Sequence, residues 1–266
     1  MNSIQISIEA NEAEQEILVS ELMELGADGF EQSANYLLAY FPELNFNSYE
    51  VNKVLENHHF TTTVVEEQNW NEIWEKNFQP VIIHDFCAVR AGFHEPVAGV
   101  EHEIIITPKM SFGTGHHATT YMMIEQMKGI SFRDKNVFDF GTGTGILAIL
   151  AEKLGAASVL AIDIDEWSME NAKENVQGNS CNNIHLELSA KIPAETFDII
   201  LANINRNVIL DHLPQLKNSL VPKGSLLLSG LLTSDEEDIV NACDQLGFTM
   251  INKSERNNWI SLLFIK

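Results

Sequence analysis

Residues Val137–Gly145 read VFDFGTGTG: an apolar strand runs into three glycines at alternate positions and then into the apolar stretch ILAIL. Glycine reaches positive φ at no steric cost and leaves no Cβ between the main chain and whatever lies against it. The segment therefore demands a strand, a tight turn and a helix in that order. The rest of the chain repeats the theme. Apolar strand-like runs at Val137–Phe140, Ser158–Ile164, Ile184–Leu188, Phe197–Asn203 and Ser225–Gly230 alternate with helix-like stretches at Gly145–Leu154, Glu166–Gln177 and Val208–Leu220. Near-continuous apolar strands with crossover helices predict an α/β domain, its parallel sheet covered on both faces. The end differs. A helix near Ser234–Leu246 precedes two strands, Phe248–Ser254 and Trp259–Ile265, joined by the short polar turn Glu255–Asn258. Such a hairpin forces one of the two to run antiparallel to the sheet.

The first 68 residues follow another pattern. Ile4, Ile6 and Ile8 alternate with polar residues as in a half-buried strand. Asn11 is placed to cap a helix through Leu25, with Gly26 ending it. Strands near Asp28–Ser33 and Asn35–Phe41, a helix over Ser48–Asn57 and a strand over Thr61–Gln68 complete a ferredoxin-like α+β order. Asn69–Phe78 (NWNEIWEKNF) reads as a linking helix with Trp70, Ile73, Trp74 and Phe78 on one side, ended by Pro80. Two further strands are expected around Val81–Arg90 and His102–Thr107. The expected organisation is a small domain over 1–68, a linker helix over 69–80 and the α/β domain over 81–266.

Charge narrows the partners. The net charge is −22. Residues 1–78 alone hold fifteen Asp or Glu against two Lys. A phosphate backbone needs Lys and Arg opposite it, so direct nucleic-acid binding is not expected. A basic protein partner suits this balance, as does simple solubility. No apolar run approaches the roughly 20 residues that span a bilayer, and the opening MNSIQISIEA lacks a signal-peptide pattern. Cys87, Cys181 and Cys243 are odd in number and far apart, so they form neither a disulfide framework nor a zinc site. The expectation is a cytoplasmic protein with reduced thiols. Nothing in the sequence demands an assembly, and a monomer is expected.

The glycine spacing narrows the cofactor. A dinucleotide fingerprint places glycines at positions one, three and six. Counting from Gly141, position six is Ile146, and the third glycine, Gly145, stands at position five. No Gly-Lys-Ser/Thr follows, which removes a phosphate-cradling P-loop. What remains is a loop preceded by Asp139, with Asp163 at the end of the next strand, 22 residues past Gly141. A carboxylate there can accept hydrogen bonds from both hydroxyls of a ribose. Its neighbour Asp165 is placed to cap the following helix. S-adenosylmethionine carries no phosphate and fits such a loop. The fourth strand ends in Asn203, at the crevice outside the strand ends where open sheets bind ligands.

Four stretches resemble one family over nearly the full chain. They are NWNEIWEKNFQP (Asn69–Pro80), ITPKMSFGTGHHATT (Ile106–Thr120), FDFGTGTGILAI (Phe138–Ile149), and AIDID with LANI (Ala161–Asp165 and Leu201–Ile204). Together they resemble the bacterial ribosomal protein L11 methyltransferase family. The second stretch is the most specific. The resemblance implies a Rossmann-like seven-stranded S-adenosylmethionine methyltransferase domain and a small N-terminal domain that recognises a basic large-subunit ribosomal protein. It implies methylation of lysine side chains and the α-amine. It places Thr120, Gly141, Asp163 and Asn203 on the cofactor, with Phe112, Gly113, Thr114, Gly115 and His117 lining the same pocket. Asp139 and Gly143 join them as loop residues. The chain departs from the family pattern at His116, at Ala118 and at Ile204-Asn205-Arg206, the last bordering the expected substrate entrance.

Methyl transfer to an amine needs an aligned, desolvated, neutral nitrogen more than a classical base. Asn203 is expected to accept a hydrogen bond from the incoming amine or from the cofactor. His117 admits two readings, a proton acceptor at the pocket or a hydrogen-bonded loop residue. Thr119 and Thr120 stand where a helix begins, so capping competes with cofactor contact. The alternatives are a methyltransferase of another protein, an RNA or a small molecule, and a non-catalytic S-adenosylmethionine-binding assembly factor.

Overall fold

The computed structural model describes residues 3–65, 79–107 and 115–266. The chain divides into two compact units, Met1–Asn77 and Phe78–Lys266. The expected linker helix falls almost wholly outside the described residues, as do Phe112, Gly113 and Thr114.

In the first unit, β1 (Ser3–Glu9), α1 (Glu12–Glu24), β2 (Gly29–Gln32), β3 (Tyr36–Pro42), α2 (Ser48–Val54) and β4 (Phe60–Val65) follow in the expected order. The sheet order is β2-β3-β1-β4, antiparallel throughout, which is the ferredoxin-like arrangement. Period-two alternation turns Ile4, Ile6, Ile8, Leu37, Ala39 and Phe41 to one face, where they bury against Leu18 and Leu22 of α1 and Val51 of α2. The opposite face carries Gln5, Ser7, Tyr36, Leu38 and Tyr40.

The second unit opens with three short strands, β5 (Val81–Ile83), β6 (Cys87–Ala91) and β7 (His102–Ile106). They form their own sheet, with β7 parallel to β6. The single strand expected over Val81–Arg90 is thus two. His84, at φ 50°, turns the chain back so that β5 pairs antiparallel with β6. Next come α3 (Ala118–Met127), β8 (Asn136–Phe140), α4 (Ile146–Lys153), β9 (Ser158–Asp163), α5 (Glu166–Gly178) and β10 (Ile184–Leu188). Then follow β11 (Phe197–Asn203), α6 (Arg206–Asn218), β12 (Leu220–Leu232), α7 (Glu236–Gln245), β13 (Thr249–Arg256) and β14 (Trp259–Ile265).

These strands form one seven-stranded sheet in the order β10-β9-β8-β11-β12-β14-β13. All run parallel except β14, which is antiparallel to both neighbours. The terminal hairpin therefore does what its short polar turn predicts. Each face has its own core. Val137, Val159 and Ile199 face Met123 and Ile124 of α3 and the apolar side of α4. Phe138, Ile200 and Leu226 face Ile209 and Leu213 of α6 and Ile239 of α7. Strand order reverses between β8 and β11, and that switch point opens a crevice at the carboxyl ends of the strands.

Strand β12 is longer than the apolar run Ser225–Gly230 suggests. A bulge between Leu228 and Leu231 lets it continue to Leu232 while pairing with β14. Gly230 sits in that bulge at φ 80°, where a Cβ would lie 2.7 Å from the carbonyl carbon of Ile204.

Candidate functional site

Loops at the switch point enclose a cleft of about 580 Å³. Its floor is the glycine turn. Gly141, Gly143 and Gly145 all have positive φ, at 76°, 55° and 79°. At Gly141 a Cβ would overlap the Cγ2 of Ile204, so the loop after β11 packs directly on the glycine backbone. Gly145 gives α4 its left-handed start.

One wall comes from β9. Asp163 lines the cleft. Its Oδ2 accepts from the Gly143 amide at 2.8 Å, and its Oδ1 accepts from Ile164 at 2.8 Å and Asp165 at 3.1 Å. The carboxylate thus stitches the glycine turn to the end of β9 while still facing the cleft. Asp165 caps α5 by accepting from the Ser168 amide at 2.9 Å, as its position predicts.

The facing wall is Asn203, Ile204 and Asn205 at the end of β11. Asn203 donates from Nδ2 to the hydroxyl of Thr120 at 3.3 Å, leaving its carbonyl oxygen as the acceptor. Thr120 itself is buried and does not line the cleft. Asn205 caps α6 by accepting from Val208 at 3.1 Å. Arg206, the third residue of Ile204-Asn205-Arg206, pairs with Asp235 and Asp238. A guanidinium flanked by two carboxylates is held there.

His117 and Trp259 close one side. His117 is the N-cap of α3: its Nδ1 pairs with the Thr119 hydroxyl at 2.7 Å and accepts from the Thr119 amide at 3.4 Å. The helix thus begins at Ala118, and the cap is the histidine rather than a threonine. The His117 ring meets Trp259 edge-on, with centroids 4.7 Å apart. Gly115 is absent from the wall; it turns at φ 88° against Val89.

Asp139 does not reach the cleft either. Phe138 and Phe140 belong to the α6 side of the sheet, so alternation sends Asp139 to the α4 side, where it is fully buried. The Thr142 hydroxyl donates to its Oδ2 at 2.6 Å. Burial pushes the carboxyl up to about 7, the nearby Asp163 charge adds to the rise, and the Thr142 hydrogen bond opposes it.

Sequence reasoning missed Phe140, Ser189, Ala190, Val208, His212, Gly230 and Trp259, which also line the cleft. Phe140, Val208, His212, Gly230 and Trp259 fell inside segments singled out by pattern, but only as chain-forming residues, and Ser189 and Ala190 fell inside none. Trp259 reaches the site because the β13–β14 turn returns it beside β12, a placement no local pattern carries.

The residues fit S-adenosylmethionine. The glycine floor has no room for a Cβ at Gly141, an acidic side chain stands at the end of β9, and no Lys or Arg is among the described lining residues. A phosphate-bearing cofactor would meet no cationic side chain among them. Apolar groups such as Phe140, Ile162, Val208 and Trp259 make up much of the remaining wall. Sheet order, switch-point cleft and glycine floor are together those of an S-adenosylmethionine-dependent methyltransferase.

Comparison with known proteins is specific. The family described as ribosomal protein L11 methyltransferase (PrmA) matches residues 6–266, and the chain belongs to that family. The ribosomal protein L11 methyltransferase of Porphyromonas gingivalis is 41% identical over 260 residues, covering 94% of this chain and 90% of that protein. The crystal structure of a ribosomal protein L11 methylase from Lactobacillus delbrueckii subsp. bulgaricus superposes with a TM-score of 0.65 at 32% identity, covering 70% of this chain and 98% of that one. A methyltransferase from Pyrococcus furiosus, at 23% identity and TM-score 0.51 over 61% of this chain and 89% of that one, shares the fold.

Proposed function

We propose that this protein transfers methyl groups from S-adenosylmethionine to amines of ribosomal protein L11, on lysine side chains and the α-amine. The observation that carries the reading is the cleft itself, where Asp163 and the glycine floor face Asn203 across a mostly apolar wall. Family membership over residues 6–266 supplies the substrate.

Gly141, Gly143 and Asp163 hold the cofactor, with Asp163 accepting from the ribose hydroxyls. Thr120 acts through Asn203, whose amide it orients. When bound, S-adenosylmethionine supplies a methyl group already activated on a sulfonium, so the protein has to align and desolvate the acceptor. A lysine amine has an ordinary pKa near 10.4, and presenting it neutral at pH 7.4 costs about 4 kcal/mol. Apolar wall groups and the Trp259 ring lower that cost by disfavouring the ammonium form. Asn203 then accepts a hydrogen bond from the neutral amine through its carbonyl oxygen and fixes the lone pair toward the methyl. His117, with Nδ1 committed to Thr119, serves as a wall and helix cap.

The first unit is the recognition surface in this reading. The sheet face opposite its helices combines apolar Tyr36 and Tyr40 rings with Glu9 and Glu31, each carboxylate accepting from a tyrosine hydroxyl, at 3.4 and 3.0 Å. Such a face suits lysines and arginines on a protein, and the partner is protein rather than nucleic acid.

The test is direct. The protein is incubated with labelled S-adenosylmethionine and ribosomal proteins from cells lacking this activity, and additions of the mass of CH₂ are mapped by mass spectrometry. Marks are expected on lysine and α-amines of L11. No mark on any protein amine would refute the reading. The double variant Glu9→Lys, Glu31→Lys is expected to raise KM for the protein substrate and leave cofactor affinity unchanged.

A further inference from the structure

Strand β7 is an edge strand. It pairs with β6 on one side, through residues His102 to Ile106. Its other side would leave backbone groups of Ile105 and Thr107 unpaired, at a cost comparable to a lost hydrogen bond each. No strand among the described residues meets them. Three asparagines of α5 and its cap do. The Asn179 side chain accepts from the Ile105 amide at 2.9 Å and donates to the Ile105 carbonyl at 2.6 Å. Asn175 accepts from the Thr107 amide at 2.7 Å, and Asn171 donates to the Thr107 carbonyl at 3.1 Å.

The fit is geometric. Residues four apart on a helix are separated by about 6 Å along its axis. Residues two apart on a strand are separated by about 6.6 Å. Asparagines at i and i+4 therefore meet alternate residues of a strand, and each side-chain amide offers the same donor and acceptor as a peptide group.

Asn175 does one thing more. From the same buried side chain, Nδ2 donates to the Thr144 carbonyl in the glycine turn at 2.8 Å and to Asn171 Oδ1 at 2.9 Å. Asn171 and Asn175 are almost wholly shielded from solvent, at 0% and 1% exposure. One side chain thus ties two backbones that belong to different parts of the site. Thr144 lies in the turn that floors the cleft. Thr107 begins the stretch of chain that leads to Phe112, Gly113 and Thr114.

We infer that Asn175 is a positioning residue that locks the glycine turn to the end of β7, so that the cofactor loop and the root of the FGTG segment hold one fixed geometry. Asn179 bonds to β7 and, through Nδ2, to the Asn175 backbone carbonyl at 2.8 Å within its own helix end, but its side chain makes no hydrogen bond to the glycine turn and has no part in that lock. The consequence for cofactor affinity rests on the S-adenosylmethionine reading, whereas the mechanical coupling does not.

Amide hydrogen exchange on the full-length protein without cofactor separates the two roles. In Asn175→Ala, exchange should rise about tenfold, equivalent to ~1.4 kcal/mol, in peptides covering both 102–107 and 140–146. In Asn179→Ala, it should rise in 102–107 only. Unchanged exchange in 140–146 for Asn175→Ala, or an equal rise there for Asn179→Ala, would overturn the inference. If Asn175→Ala does not fold, Asn175→Asp keeps an acceptor for Thr107 and loses the amide donor to Thr144. It should loosen 140–146 and spare 102–107, and the reverse pattern would overturn the inference. Titration with S-adenosylhomocysteine adds a second reading, with Kd about tenfold higher for Asn175→Ala and unchanged for Asn179→Ala. A wild-type protein that failed to bind that probe would refute the cofactor reading and leave the exchange comparison standing.

Discussion

Asp139→Asn isolates one buried carboxyl and tests its electrostatics through stability. Asp139 is fully buried on the α4 side of β8, and burial lifts its carboxyl from 3.8 to about 7. In the unfolded chain it ionises at the ordinary value. Between the two values the folded protein holds a proton that the unfolded chain has released. The stabilising contribution is therefore complete below pH 3.8 and is lost as pH rises through 7. At ~1.36 kcal/mol per pH unit, the loss is about 2 kcal/mol at pH 5 and about 4 kcal/mol by pH 8. Asparagine is close in shape, keeps an acceptor for the Thr142 hydroxyl, and does not titrate. Common groups cancel when variant and wild type are compared. Stability of Asp139→Asn relative to wild type should thus increase by about 2–3 kcal/mol from pH 5 to pH 8 and level off above that. For a unit of this size the relative Tm should climb by roughly 5–10 °C. The assay is thermal and urea unfolding of both proteins, without cofactor, at unit steps from pH 5 to pH 8. A difference that stays flat across that range, or falls with pH, would refute the assignment of a near-neutral Asp139.

Other expectations follow from the same geometry. Asp163→Ala removes the acceptor of three backbone amides as well as the proposed ribose partner; S-adenosylhomocysteine affinity, measured by calorimetry, should fall roughly hundredfold or more, since hydrogen bonds to charged groups contribute about 1.5–3 kcal/mol each. Gly141→Ala forces a side chain into φ 76° against Ile204, costing roughly 1–2 kcal/mol in backbone strain alone; cofactor affinity should drop, and an unchanged Kd would show that Ile204 yields freely. Gly230→Ala places a Cβ 2.7 Å from the Ile204 carbonyl carbon, and its unfolding midpoint should fall clearly below wild type. Among the free cysteines, burial pushes the Cys87 and Cys243 thiols up to about 12 and the half-buried Cys181 to about 11. Alkylation of the native protein at pH 8 should mark Cys181 first; equal rates at all three would contradict the packing.

Much of the fold was legible in the chain because it is written locally. Period-two runs and 3.6-residue stripes mark strands and helices, Gly141–Gly145 marks the turn, and the polar linker Glu255–Asn258 marks the hairpin whose second strand, β14, runs antiparallel. Asp163, Asn203, Gly141 and Gly143 could be named as site residues because each stands at the end of a recognisable strand or in the turn after it, and all four line the same cleft. Tertiary structure decided what depends on residues far apart in sequence. Alternation in β8 permits Asp139 on either face, and the packing of Phe138 against α6 put it behind the turn. His117 looked like a loop residue or a base until α3 began beside it and Trp259 arrived from β14. Arg206 found its partners in Asp235 and Asp238, some thirty residues on, where α7 begins. The asparagines of α5 carry no signal as a sequence, since solvated helix faces also bear asparagine. They become a lock only when β7 presents its open edge at the matching spacing. Short-range pattern determines which backbone forms; long-range packing determines which buried polar group meets which partner, because only the assembled core removes water as the alternative.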